Sequence, residues 1–141
     1  IHVPPPPANQ TVYVVTEILD AENVAHARSA GADEVIETTL LGFSLLVHSI
    51  AEPGTATLLS RLAAPRAQSV FVGAPPADVT FPSSFAHAAR QVKHRTGALV
   101  IGYRDPVSGR DVLNPSEELE LVDGTQLIYL AASAVLPRTP G

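Results

Sequence analysis

Cysteine, methionine and tryptophan are all absent from this 141-residue chain, and Phe and Tyr are few. Without cysteine there can be no disulfide, no thiolate metal site and no Cys nucleophile. Cations are scarce too: nine Lys plus Arg stand against fourteen Asp plus Glu, for a net charge of −5. Binding a phosphate backbone depends on clustered Lys and Arg, which argues against nucleic acid as a partner. No apolar run reaches the roughly 18 to 20 residues that a membrane helix needs, which argues against direct membrane insertion. No basic stretch leading into an apolar one marks a signal peptide. The chain opens on isoleucine and holds no methionine, so it is expected to be a piece of a longer protein.

What is present is globular material. Hydrophobic residues make up 45% and charged residues 16%, and Ala, Val and Leu dominate the apolar set. Such a composition buries a core rather than remaining disordered. The opening "IHVPPPPANQ" reads as polyproline II or linker, because successive prolines join neither a helix nor a sheet interior. The run "TVYVVTEIL" is apolar on both alternating faces from Val12 to Val15, the pattern of a strand covered on both sides in a parallel sheet. Asp20 is placed as N-cap of the helix "AENVAHARSA", Glu22 sits in its first turn, and Gly31 takes the C′ position. "DEVIE" makes a second strand and completes a β-α-β unit.

Residues 39–66 carry two apolar helices. Leu40, Phe43, Val47 and Ile50 recur at helical spacing, with Leu41 and Leu45 widening the stripe. Pro53-Gly54 breaks the run, and a second helix holds Leu58, Leu59 and Leu62. This apolar surface exceeds what one β-α-β unit covers, so it is expected to meet a partner. The rhythm then changes. "SVFVGAP" is a strand, "SSFAHAARQVKHRTG" an amphipathic helix with a serine N-cap and Gly97 at C′, and "ALVIGYR" a strand. "DPVSG" is a turn, "RDVLNP" a short strand, and "LELVDGTQLIYLA" two strands joined by Asp123-Gly124. "SAVLPRTPG" reads as a trailing end.

These strings together resemble the regulator-of-potassium-conductance (RCK) domain of potassium channels and transporters, whose halves are the TrkA-N and TrkA-C modules. "ENVAHARSAGADEVI" is similar to the end of that family's Rossmann-like lobe. "GALVIGYRDPVSGRDVLNPSEELELVDGTQLIYLA" is similar to its C-terminal lobe, and "IGYR" and "NPSE" also resemble the related domains of plant Castor/Pollux channels. One departure is Gly124-Thr125, where the family usually has Gly-Asp. The resemblance runs from Thr11 to Ala132 and implies three segments. Residues 1–38 are the C-terminal part of a Rossmann-like N-lobe, 39–66 a crossover helix-turn-helix, and 67–141 a small α+β C-lobe. The fold class is therefore α/β.

The same resemblance implies a function: a cytosolic ligand-sensing gating domain of a potassium channel or K+ transporter, coupling ligand binding and dimer rearrangement to conduction. Its partners would be a second copy, the rest of the RCK N-lobe and a membrane pore, at the cytoplasmic side of the membrane. Leu40, Phe43, Val47, Ile50, Leu58 and Leu62 would form the dimer interface. In some members a glutamate matching Glu17 helps bind calcium, and Asp20 and Glu22 are the neighbouring hard-oxygen donors. A nucleotide cofactor is not supported, because the Gly-x-Gly-x-x-Gly turn and the ribose-binding acid lie outside this sequence. The alternative is a small-molecule-binding module of a non-channel transporter or a soluble sensor.

Other candidates read as structural. Asp33 and Glu34 occupy a helix-to-strand turn, where a carboxylate satisfies turn amides. Glu117, Glu118 and Glu120 form an acidic cluster in which Glu118 and Glu120 share a solvated strand face. His87 and His94 lie roughly 10 Å apart on one helix, too far for a shared ion, and His48 sits on a crossover helix. No Gly-x-Ser-x-Gly elbow or glycine-rich phosphate loop appears, so no enzyme is expected.

Overall fold

The computed structural model describes residues 12–64 and 68–138. The Pro4–Pro7 stretch lies outside them. The chain divides into two compact units, Ile1–Ala56 and Thr57–Gly141.

The first unit is a short β-α-β. Strand β1 (Val15–Ile18) pairs in parallel with β2 (Glu34–Glu37), Val15 opposite Glu34 and Glu17 opposite Ile36. A 3-10 turn (Ala21–Asn23) leads into α1 (Val24–Ser29), and Gly31 follows at φ 100°. Asp20 stands at the start of that turn with extended backbone, but its side chain makes no capping bond. The Asn23 amide is instead satisfied by the Asp20 carbonyl at 3.0 Å. Val12, Tyr13, Val14 and Val15 are all exposed. The expectation of a strand covered on both faces is thus corrected: β2 is its only neighbour among the described residues, and covering both faces needs further layers. Helix α2 (Thr38–Ala51) follows β2 directly and contains no buried residue.

Helix α3 (Thr55–Ala63) begins after the turn at Gly54, and its first residues mark the border of the second unit. That unit is built on a four-stranded antiparallel sheet in the order β3-β8-β5-β6. Its strands are β3 (Ser69–Gly73), β5 (Leu99–Arg104), β6 (Asp111–Leu113) and β8 (Gln126–Ala131). A separate two-residue pairing joins β4 (Ser83–Ser84) to β7 (Glu120–Leu121).

Helix α4 (Phe85–Thr96) closes the core with Phe85, Ala88 and Val92, packed in one cluster with Val100, Leu121, Leu127, Tyr129 and Ala131. Its ends follow the sequence signals. The Ser84 hydroxyl accepts the His87 amide at 3.2 Å, and Gly97 takes φ 76°, a left-handed conformation that costs glycine little. One expectation fails here. The strands around Asp123-Gly124 do not form a hairpin, because both edges of β8 are taken by β3 and β5. The trailing end is also not loose: Leu136 is buried in the core cluster.

Candidate functional site

Glu17 is the penultimate residue of β1, just before the chain leaves the sheet. Its carboxylate accepts the Thr38 hydroxyl at 2.9 Å, which ties β1 to the first residue of α2. Immediately before β2, Asp33 reaches across to the start of β1 instead of serving its own turn. Its Oδ2 accepts the Val14 amide at 2.7 Å, and the Val14 carbonyl accepts the Asp33 and Glu34 amides. The Tyr13 hydroxyl donates to Glu34 at 3.3 Å. Asp33 and Glu34 thus act as acceptors for the segment at the start of β1, a role that the alternation of residue types does not reveal.

Asp20 and Glu22 are exposed on the turn after β1. Among the described residues no three His, Asp or Glu side chains are gathered where they could hold a metal ion. Glu17, Asp20 and Glu22 therefore do not come together as one ligand set as they are arranged here. Glu117 and Glu118 sit in the bend before β7, where the Glu117 and Leu119 carbonyls receive the Ala86 and Phe85 amides at the start of α4. Leu119 and Leu121 face inward while Glu118 and Glu120 face solvent, as the alternation implied. His48, His87 and His94 are exposed.

The apolar residues make the stronger feature. On α2, Leu40, Phe43, Val47 and Ile50 are all at least half exposed, with Phe43 at 63% and Ile50 at 78%. Leu46, equally exposed, joins them through the spacing 43–46–50, a helical period present in the sequence beside the 40–43–47–50 stripe. Leu58 on α3 is 57% exposed and Leu62 half-buried. A helix that is apolar over most of its circumference is ordinarily covered.

A family model described as "Protein of unknown function" (DUF3299) matches residues 1–32. No curated protein matches the chain. Among solved structures, the human SLO3 gating ring matches with a TM-score of 0.67 at 16% identity, over 86% of this chain and 26% of that one. The chain has the fold of a part of that gating ring. The RCK domain of GsuK matches over 86% of this chain and 25% of that one, at 22% identity and a TM-score of 0.45. The GsuK channel bound to NAD matches at 23% identity and 0.44 over 86% and 21%. The chain spans about a fifth to a quarter of the length of these structures. Among the described residues no helix is long and apolar enough to cross a membrane.

Proposed function

We propose that this chain is part of a cytosolic regulatory domain that senses a ligand and gates a potassium channel or transporter, and that its own contribution is self-association through α2 and α3. The observation that carries the reading is the open apolar face of α2. Leu40, Phe43, Val47 and Ile50 stay in water in a single chain, a state that oligomerisation relieves. The shared fold with a part of the SLO3 gating ring supports the regulatory setting. In this reading residues 1–38 belong to a Rossmann-like lobe, 39–66 to the crossover and 67–141 to the C-lobe, and the chain performs no catalysis.

The mechanism is conformational. A ligand that binds one arrangement of paired domains better than another shifts the population between them, by no more than its difference in affinity. Covering side chains of this size is worth about 1.5 to 3 kcal/mol for each one fully buried, before the cost of association is subtracted. At a protein interface a handful of such residues carries most of the binding energy. The test is the mass of the chain in solution across micromolar concentrations, compared with a Phe43→Glu variant. Self-association in the first and loss of it in the second support the reading; a monomer in both removes it.

A further inference from the structure

The sheet of the second unit has a face turned away from the core. Leu99 pairs with Leu130 across β5 and β8, and Val70 pairs with Leu130 across β3 and β8. Side chains directly opposite each other share a face, so Val70, Leu130 and Leu99 form a row across three strands. The row lies opposite the side where Tyr129 and Ala131 meet α4. At its end, Leu58 and Leu62 of α3 join Leu99 and Leu130 around an open groove of about 510 Å³. That size falls in the range of small-molecule sites, which are apolar clefts with a few polar groups placed to orient the ligand.

The charge on the groove is one-sided. Its lining includes Arg61 and Lys93, and no carboxylate lines it among the described residues. This contrasts with the chain as a whole, where acids outnumber Lys and Arg. The Lys93 ammonium donates to the Gly97 carbonyl at 2.7 Å, which holds it at the lip and leaves two of its three donors unused by that bond. Arg61 makes no side-chain hydrogen bond or ion pair among the described residues. A leucine floor with two cations at the rim fits a molecule with an apolar tail and a single anionic head.

We propose that this groove binds a medium-chain aliphatic carboxylate, the tail on Leu58, Leu62, Leu99 and Leu130 and the head between Arg61 and Lys93. Leu58 and Leu62 also belong to the proposed self-association surface, so bound carboxylate and self-association exclude one another. The groove itself does not depend on that reading.

Calorimetric titration of the full chain with decanoate, decanol and acetate tests it, using the Phe43→Glu variant as a background because Phe43 does not line the groove. Decanoate binds saturably at one site, decanol binds more weakly and acetate does not bind. Arg61→Ala and Lys93→Ala each weaken decanoate by roughly two- to fivefold, as expected for charges at an exposed rim, and leave decanol unchanged. Leu99→Glu abolishes binding, with circular dichroism confirming that the variant is folded. No saturable decanoate binding, or equal binding of decanoate and decanol, overturns the proposal. Decanoate affinity unchanged in both rim variants overturns it as well. Should the wild-type chain already be monomeric, the self-association reading fails while this titration still decides the groove.

Discussion

The Tyr129 hydroxyl accepts the backbone amide of Leu136 at 3.1 Å, and the adjoining Val135 amide at 3.0 Å. Tyr129 is fully buried in the centre of the sheet, so a core side chain fastens the segment after β8. Leu136 in turn fills the core beside Gly73, where an added methyl group would come within 2.8 Å of the Leu136 Cβ. The ring also stacks with Phe71, centroids 5.7 Å apart.

Tyr129→Phe keeps the ring but strands those amides. A buried donor left without a partner costs about 1 to 3 kcal/mol, so the variant should lose that much stability in urea, with the slope of the transition unchanged. A loss no larger than that of an ordinary surface substitution would remove the fastening role.

Gly102 supplies a second, independent point. It pairs with Leu113 on β6 and with Ile128 on β8, and a methyl group there would run into the Val112 carbonyl. That obstacle is backbone, so it has little room to yield. Gly102→Ala should cost on the order of 1 to 3 kcal/mol, the range for overpacking, and should loosen amide protection across β5 and β6 in hydrogen exchange.

Acid should weaken the same edge. Asp111 receives Arg104 through two bonds, Nε at 2.7 Å and a terminal nitrogen at 3.0 Å, and this hydrogen bonding holds its carboxyl below the ordinary range. The Ser108 amide and hydroxyl and the Val107 amide do the same for Asp105. A carboxyl depressed in the folded state adds stability that is complete above its unfolded value. It is lost as pH falls below about 4 through the folded value. For Asp111 the contribution is at most about 1 kcal/mol, since the pair is solvent-exposed. Asp111→Asn should therefore flatten part of the acid limb of a stability–pH curve and leave neutral stability lower by that small amount. An unchanged acid limb would contradict the account.

Glu17 separates two roles. Its bond to Thr38 makes it a structural link between β1 and α2, while the resemblance to RCK domains offers it as a calcium ligand with Asp20 and Glu22. As the three are not gathered together, the structural role predicts equal calorimetric traces for calcium added to the chain and to Glu17→Gln. Calcium heat in the first that vanishes in the second would establish the ligand role.

Local chemistry was readable from the residues in the second unit, less so at Asp20, whose side chain makes no capping bond, and non-local pairing was not readable. The serine cap, the helix from Phe85 and the glycine stop at Gly97 stand where the sequence put them, because each rests on neighbours within one turn. The Asp123-Gly124 turn also exists, with the Thr125 amide bonded to the Val122 carbonyl at 3.2 Å. Yet it joins strands of different sheets, since a turn residue does not say which strand finds which edge. The two-residue strand β4 carries no alternation to detect. The exposure of Val12 to Val15 is likewise a property of what surrounds β1, absent from its own letters. The leucines of α2 and α3 were visible as a stripe, but the groove lined by Arg61 and Lys93 required the sheet and two helix ends to be brought together.

The most direct test of the central claim is sedimentation equilibrium of the chain at micromolar concentrations, beside a variant carrying both Phe43→Glu and Ile50→Glu. The account predicts a dimer or larger assembly for the chain, and for the variant a monomer with unchanged helical content. A wild-type chain that sediments as a monomer throughout that range would contradict it.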